Sequence, residues 1–224
     1  MLILAVDTSG KNGSIALVRF EAETSRTLEV VALAGGTFSA QLVPQISELL
    51  KTHNLTKRDI DAFAVASGPG SFTGLRVGLA AVKALAEILE KPIAAVSLLE
   101  AVACAGGVEG EVDGALDAGR GEIYFGKFRV VGSRATMTSQ QLLTAVEFLD
   151  YAAGQEIVTP DQKIADLSRE NNLRVTQIGP PRADAIARIG FMKIQAGEII
   201  SAEALDANYI RRSDAETKKS ISHQ

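Results

Sequence analysis

The chain is poor in the residues that build disulfide frameworks and metal centres. Its 224 residues include one cysteine, two histidines and no tryptophan. A single cysteine, Cys104, excludes a disulfide framework and a thiolate metal cluster, and it is typical of a reducing compartment. The two histidines, His53 and His223, are far apart along the chain, so we expect no metal site built from both of them.

Long hydrophobic runs and an excess of positive charge are also missing. No segment without charges is long enough to span a membrane, and residues 1–7 turn polar too soon for a signal peptide. The formal net charge of −4 argues against a strong stand-alone nucleic-acid binder. Hydrophobic residues make up 46% of the chain and charged residues 22%, as in ordinary globular domains. We therefore expect a soluble, cytoplasmic protein with no membrane association.

The stretch from Ser67 to Gly78 is the most informative one in the chain. It lies between two apolar segments, which predicts a buried strand, a glycine turn and the N-terminus of a helix. Gly68 and Gly70 permit positive φ, and Ser71 or Thr73 can cap the helix. Such a turn can hold an anion, but a plain tight turn is the more common use of the pattern, so both interpretations stay open.

The helix predicted from Phe72 to Glu90 is apolar around most of its circumference. A helix of this kind is fully interior, or it buries one face in its own core and another in a partner. Gly74, Gly78 and Ala81 would allow a second helix to approach closely. The pattern therefore predicts packing on two sides of this helix.

Each half of the chain opens with the same pattern. Residues 2–9 are an apolar run that ends in Asp-Thr-Ser, and a hairpin strand follows to Phe20. Residues 112–119 end in Asp-Ala-Gly, and residues 121–130 again alternate like a return strand. The repetition predicts an α/β protein with duplicated lobes. We place the lobes at residues 1–97 and 98–224.

The residue patterns predict the strands and helices of both halves. The first half reads strand, strand, strand, helix, strand, helix, strand. In the second half, a helix is predicted from Ser139 to about Asp150. A short strand at residues 156–159, a helix at 161–170, a strand at 173–178 and a helix ending near Ala196 follow.

The two Asp-ended hairpins have a chemical interpretation. If they face each other across a cleft, Asp7 and Asp117 can hold Mg²⁺ or orient a water molecule. Alternatively, each Asp closes its own turn by accepting hydrogen bonds from nearby amides. The residues alone leave both interpretations open.

Four segments of the chain resemble the bacterial TsaB family, formerly called YeaZ, within the actin, hexokinase and Hsp70 ATPase superfamily. They are residues 2–20, Ser67 to Gly78, Asp117 to Tyr124, and Tyr209-Ile210-Arg211. The similarity spans nearly the whole chain. It implies a two-lobed actin-like ATPase fold with a vestigial nucleotide cleft, whose residues would be Asp7, Thr8, Ser9, Asp117 and Arg120.

The resemblance also implies a function. In that family, the TsaB-like chain is the non-catalytic partner of a TsaD-like paralogue, which transfers threonylcarbamoyl to the adenosine next to the anticodon of tRNA. A TsaE-like ATPase completes the assembly, and a separate enzyme supplies threonylcarbamoyl-adenylate. We thus expect tRNA to be met through the complex, and a homodimer when the chain is alone. The sequence identifies no cofactor for the isolated chain, and ATP or ADP with Mg²⁺ is the candidate at the partner complex.

In the family, the first-lobe helices form the pairing surface. Carried onto this chain, the resemblance implies an interface on the helices at Ser39–His53 and Phe72–Glu90. Its residues would be Leu42, Ile46, Leu49, Phe72, Leu75, Leu79 and Val82.

The chain departs from the family pattern at two positions. Family members commonly carry a histidine at the start of the first helix, where this chain has Phe38 to Gln41. They commonly carry a proline before the final Tyr-x-Arg, where this chain has Ala207-Asn208.

Two charged pairs lie near the end of the chain. Arg211-Arg212 and Lys218-Lys219 can contact tRNA phosphates, or they can belong to a solvated tail.

An autonomous ATP-dependent phosphotransferase is the alternative function. The fold can carry out phosphoryl transfer. Such an enzyme would need a glycine-rich adenosine loop late in the second lobe. The region between Pro160 and Gly197 offers only Gly179 and Gly190, which are isolated from each other. We therefore predict a chain that is not itself an enzyme.

Overall fold

Two five-stranded mixed sheets form the framework of the computed structural model, which describes residues 1–21, 24–152 and 154–210. The predicted roles of Arg211-Arg212 and Lys218-Lys219 thus lie outside the described residues. The first half contains β1 (Leu2–Asp7), β2 (Gly13–Glu21), β3 (Thr24–Leu33), α1 (Phe38–Thr52), a short 3₁₀ helix (Lys57–Asp59), β4 (Ala62–Gly68), α2 (Phe72–Leu89) and β5 (Ile93–Ser97).

From Gly110 onward, the second half repeats the order of the strands and α-helices of the first. It contains α3 (Leu98–Ala105), β6 (Gly110–Gly119), β7 (Glu122–Val131), β8 (Arg134–Thr144), α4 (Ala145–Tyr151), β9 (Glu156–Thr159), α5 (Gln162–Glu170), β10 (Val175–Gln177) and α6 (Ala183–Gln195). The sheet orders are β3-β2-β1-β4-β5 and β8-β7-β6-β9-β10. In each sheet the first three strands are antiparallel and the last three are parallel. The predicted α/β fold with duplicated lobes is confirmed.

One predicted element of the second half is wrong. The region from Ser139 to Thr144 continues strand β8, which pairs with β7 from Arg134 to Thr144. The helix α4 begins only at Ala145, because Thr144 is its N-cap. Strand pairing along this length satisfies backbone groups that a helix starting at Ser139 would have to satisfy internally.

The two lobes exchange their last helices. Helix α3 follows the first sheet along the chain but packs on the second, whereas α6 follows the second sheet and packs on the first. Ile186 and Ala187 of α6 are fully buried against the first sheet. Gly190 permits this contact, since a Cβ there would lie 2.5 Å from the Cβ of Ala64. A division of the chain at residues 97 and 98 into separate units stays a prediction.

The helices α1 and α2 cover the other face of the first sheet. They bury one continuous apolar cluster with β1, β2 and β4, and Phe63 is a large fully buried member of it. The first sheet is therefore covered on both faces, by α1 and α2 on one side and by α6 on the other. This arrangement leaves the outer sides of α1 and α2 facing away from the core.

Candidate functional site

A cleft of about 760 Å³ lies where the two duplicated hairpins approach each other. It is lined by the β1–β2 turn, the loop before α2, the β6–β7 turn and the segment 208–210. Its lining residues are Ser9, Gly10, Lys11, Gly70, Ser71, Phe72, Asp117, Ala118, Gly119, Arg120, Tyr124, Asn208, Tyr209 and Ile210. This volume is in the range of ligand-binding sites.

Asp7 and Thr8 lie behind the wall of the cleft. The Asp7 carboxylate accepts hydrogen bonds from the Ser9 amide at 2.9 Å and from the Ser9 hydroxyl at 2.6 Å. Burial raises the pKa of Asp7, and the two hydrogen bonds from Ser9 oppose that rise. Thr8 donates a 2.7 Å hydrogen bond from Oγ1 to the Gly74 carbonyl. The Asp7 side chain therefore closes its own turn, the Thr8 side chain ties that turn to α2, and of these first three site residues only Ser9 lines the cleft.

Asp117 repeats this turn geometry in the second lobe but lines the cleft. Its Oδ1 accepts a 2.7 Å hydrogen bond from the Gly119 amide, two residues further on, as Asp7 does from Ser9. The Asp117 amide donates to Asp161 Oδ2 at 2.8 Å. Partial burial raises the pKa of Asp161, opposed by this hydrogen bond, and the Asp117 charge adds to the rise. Arg120, also predicted for the site, lines the cleft beside Asp117.

The cleft brings together groups that suit an anionic ligand better than a metal ion. Lys11 and Arg120 supply positive charge, and Ser9 and Ser71 supply hydroxyl groups. Within the described part of the chain, no group of three or more His, Cys, Asp or Glu side chains is placed to hold a metal ion. Asp117 lines the cleft, whereas Asp7, which is 6% exposed, does not. Phosphate oxygens fit the donors that line the cleft, and a magnesium site shared by the two aspartates stays a prediction.

Three glycines of the central stretch bring α2 onto the β1–β2 turn. A Cβ at Gly70 would lie 2.5 Å from the Ser9 carbonyl oxygen, and one at Gly74 would lie 2.1 Å from the Thr8 carbonyl oxygen. A Cβ at Gly78 would lie 2.4 Å from Thr8 Oγ1. Gly74 and Gly78, with Ala81, are predicted to admit a second helix, and for the two glycines that prediction is wrong: they admit the turn after β1. Ser71 is the N-cap of α2, as predicted, and accepts a hydrogen bond from the Gly74 amide.

The structure places most of the predicted partner-binding residues inside the chain's own core. Six of the seven have at most 5% of their surface exposed and belong to the cluster beneath α1 and α2; they are Leu42, Ile46, Leu49, Leu75, Leu79 and Val82. Only Phe72 is exposed, at 39%. The apolar stripe at helical spacing marks the inner face of each helix, which packs on the sheet. A partner can reach only the opposite face.

The opposite side of the two helices exposes several apolar side chains. Helix α2 exposes a row at four-residue spacing, which consists of Phe72, Arg76, Ala80, Ala84 and Ile88. On the neighbouring helix α1, Ala40, Val43 and Pro44 are exposed. Val43 and Ile88 have 57% and 72% of their surface exposed. We call these residues the α1–α2 face.

Sequence reasoning missed two contributors to this region. Lys11 lines the cleft from the β1–β2 turn, where the only signal was its place between Asp7 and the Asn12-Gly13 hairpin pair. Asn208 joins the lobes through Gln140, and no pattern in the sequence connects two amides 68 residues apart.

Known proteins resemble the chain along most of its length. The TsaD family model, described as tRNA N6-adenosine threonylcarbamoyltransferase, matches residues 32–194. The tRNA threonylcarbamoyladenosine biosynthesis protein TsaB of Bacillus subtilis is 30% identical over 97% of this chain and 97% of its own length. The protein of the same name from Escherichia coli is 26% identical over 96% of each chain.

A solved structure has the same fold as this chain. YeaZ from Pseudomonas aeruginosa has a TM-score of 0.74 to this chain at 24% identity, covering 93% of this chain and 99% of that one. This similarity supports the two-lobed fold.

Among helices in the described ranges, none combines the length and the apolar character needed to cross a membrane.

Proposed function

Because the chain belongs to the TsaB family and has its two-lobed actin-like ATPase fold, we propose that it serves tRNA threonylcarbamoyladenosine biosynthesis as a non-catalytic subunit. Its role is to bind a TsaD-like catalytic paralogue, which transfers threonylcarbamoyl to the adenosine next to the anticodon. In this proposal the chain holds the paralogue in an active arrangement.

The α1–α2 face is the observation that carries this proposal. It combines small residues such as Ala80 and Ala84 with the exposed apolar side chains of Val43 and Ile88. Small residues allow a partner helix to approach closely, and exposed apolar side chains gain free energy when a partner covers them. The inner faces of the same helices are already buried, so the face is positioned by a rigid core.

The histidines support the non-catalytic role. The resemblance assigns a His-x-x-x-His pair to the metal site of the catalytic paralogue. This chain has only His53 and His223, which are too far apart in sequence to form such a pair. His53 is hydrogen-bonded to Glu29 at 2.9 Å, at the end of α1 and away from the cleft residues.

We also propose a TsaE-like ATPase and tRNA as members of the assembly, because the family resemblance implies both. The chain contacts tRNA as part of the complex. In the absence of the paralogue, we propose that two copies of the chain cover the α1–α2 face by forming a homodimer.

Light-scattering chromatography with the TsaD-like paralogue tests the proposal. We expect a mixed complex with the wild-type chain and at least about tenfold weaker binding with Ala84→Glu, which corresponds to about 1.4 kcal/mol. Val146→Glu is the matched control, because Val146 is 72% exposed on α4, outside the proposed face. Binding of Ala84→Glu equal to that of the wild type, or no binding by the wild type, would overturn the proposal.

The cleft supports a second candidate, an ATP-dependent phosphotransferase. Lys11 and Arg120 lie in one cleft of nucleotide-sized volume with the hydroxyls of Ser9 and Ser71. Release of phosphate from ATP by the isolated chain, lost in Lys11→Ala, would favour this candidate. No turnover by the isolated chain would reject it.

A further inference from the structure

The last described part of the chain, residues 200–210, is anchored on the first lobe. We call it the C-terminal strap. The Ile200 amide donates to the Ile93 carbonyl at the edge of β5, and the Asn208 amide donates to the Ser67 carbonyl at the end of β4. Between these points, Leu205 is fully buried in the first-lobe core. The strap is therefore held by hydrogen bonds at both ends and by an apolar anchor between them.

A glycine permits the close approach of the strap to β4. Gly68 has a φ of +111°, and a Cβ there would lie 3.1 Å from the Asn208 carbonyl oxygen. Any other residue would be strained at this φ and crowded against the strap. Asn208 is thus fixed at the rim of the interlobe cleft.

From this position, the strap crosses to the second lobe. The side-chain amides of Asn208 and Gln140 exchange two hydrogen bonds, at 3.0 and 3.1 Å, and Gln140 lies on β8. Ile210 packs against the second-lobe core cluster that contains Phe128. A pair of primary amides that each donate and accept fixes both partners in distance and in orientation.

The residue between these two contacts touches α2. The Tyr209 ring lies 5.1 Å from the Phe72 ring, and Arg76 Nε donates to Tyr209 Oη at 3.1 Å. The Arg76 guanidinium also lies 3.6 Å above the Phe72 ring. Phe72 and Arg76 are the first two members of the exposed row of α2. A partner that covers this row reaches Tyr209, one residue from the interlobe amide pair.

We infer that the C-terminal strap is an interlobe latch, which couples the arrangement of the two lobes to occupation of the α1–α2 face. The latch is closed when Asn208 pairs with Gln140 and Tyr209 packs on Phe72, and it is open when these contacts are broken. A partner on the exposed row fixes Tyr209 and thereby favours the closed arrangement. Since coupling is reciprocal, the closed arrangement also favours the partner. The inference rests on the proposed function only for the identity of that partner.

The latch itself is tested on the isolated chain. Spin labels attached at Arg58→Cys in the first lobe and Glu170→Cys in the second, in a Cys104→Ala background, report the interlobe distance. We expect Gln140→Ala to raise the ratio of open to closed molecules by about tenfold, because two net hydrogen bonds are lost. Gln141→Ala, the neighbouring glutamine of β8, is the matched control and should leave the distribution unchanged. Identical distributions for Gln140→Ala and wild type would overturn the latch.

The coupling is tested by adding the TsaD-like paralogue to the same labelled proteins. We expect the paralogue to narrow the distance distribution of the wild type and of Tyr209→Phe, which keeps the ring contact with Phe72, but not of Tyr209→Ala. Equal narrowing in Tyr209→Ala would overturn the coupling. If the paralogue fails to bind the wild type, the coupling and the proposed function both fail, while the latch still stands or falls on the isolated chain.

Discussion

Thr8 and Gly74 fix the position of α2 against the end of β1. The Thr8 hydroxyl donates a 2.7 Å hydrogen bond to the Gly74 carbonyl, and a Cβ at Gly74 would lie only 2.1 Å from the Thr8 carbonyl oxygen. The side chain of one residue and the missing side chain of the other therefore set the same contact. This contact places the first turn of α2 beside the cleft, where Phe72 and Arg76 begin the exposed row.

Gly74→Ala is expected to destabilise the fold. The added methyl group must displace backbone, which costs about 1–3 kcal/mol or more. Urea unfolding at neutral pH measures this loss. Gly179→Ala is the matched control, because a Cβ there meets nothing within 4 Å. Equal midpoints for the two variants would contradict the close contact between α2 and the β1–β2 turn.

Leu79→Glu is expected to unfold the chain, whereas Ala84→Glu keeps it folded. Leu79 is 5% exposed in the core beneath α2, and a buried charge without a partner costs more than about 3 kcal/mol. Ala84 lies on the exposed row of the same helix, where a substitution changes stability by less than about 0.5 kcal/mol. Thermal melts followed by circular dichroism separate the two. A stable, fully folded Leu79→Glu chain would contradict the assignment of the inner face.

Asp113→Asn is expected to stabilise the protein at neutral pH. Asp113 is 1% exposed on β6, opposite Lys127 of β7, and its Oδ2 has no hydrogen-bond partner among the described residues. Burial raises the pKa of Asp113 from 3.8 to about 6, with Lys127 opposing the rise and Glu111 adding to it.

This raised pKa sets the sign of the pH dependence. Between the unfolded and folded pKa values the folded state binds more protons, so stability falls as pH rises from about 4 to about 6. The asparagine variant lacks this loss and gains about 1–3 kcal/mol at pH 7. Urea midpoints should coincide near pH 4 and diverge toward pH 7, and parallel curves over that range would count against the account. Asp150→Asn, exposed on α4, is the control.

Thr144→Ala is expected to weaken α4. Thr144 Oγ1 accepts a hydrogen bond from the Glu147 amide, and Glu147 Oε2 accepts one from the Thr144 amide at 2.8 Å. Loss of such a cap costs about 1 kcal/mol. Chemical denaturation measures the loss, with Thr138→Ala, exposed in β8, as the control. No difference between the two variants would show that the cap does not stabilise the helix.

The sequence predicted the repeat, and with it the fold, because each half carries the same local signals. An apolar strand ending in Asp and a hairpin return are short-range patterns, so Asp7 and Asp117 could be recognised in sequence as equivalent. The start of α4 also has a local signal, since Thr144-x-x-Glu147 is a capping box. Ser139 is of a residue type that caps helices equally well, and the residue pattern alone therefore predicts a start that is too early.

The proposed partner surface and the interlobe contacts could not be predicted from local patterns. The apolar stripe of α2 predicts which residues are buried, and Leu79 and Val82 satisfy that burial inside their own chain. Which residues of α2 form the exposed row becomes clear only once the apolar stripe is known to pack on the first sheet. The pairs Asn208–Gln140 and Tyr209–Arg76 span 68 and 133 residues, and no local propensity brings such residues together.

Reconstituted tRNA modification measures whether the reaction needs this chain and its α1–α2 face. Threonylcarbamoyladenosine in tRNA is quantified in mixtures of the TsaD-like paralogue, the TsaE-like ATPase and a supply of threonylcarbamoyl-adenylate. Wild-type chain, Ala84→Glu, Val146→Glu or no chain is added to each mixture. We expect modification with wild type and Val146→Glu, and its loss with Ala84→Glu or without the chain. Full modification without the chain, or modification by the chain without the paralogue, would contradict this expectation.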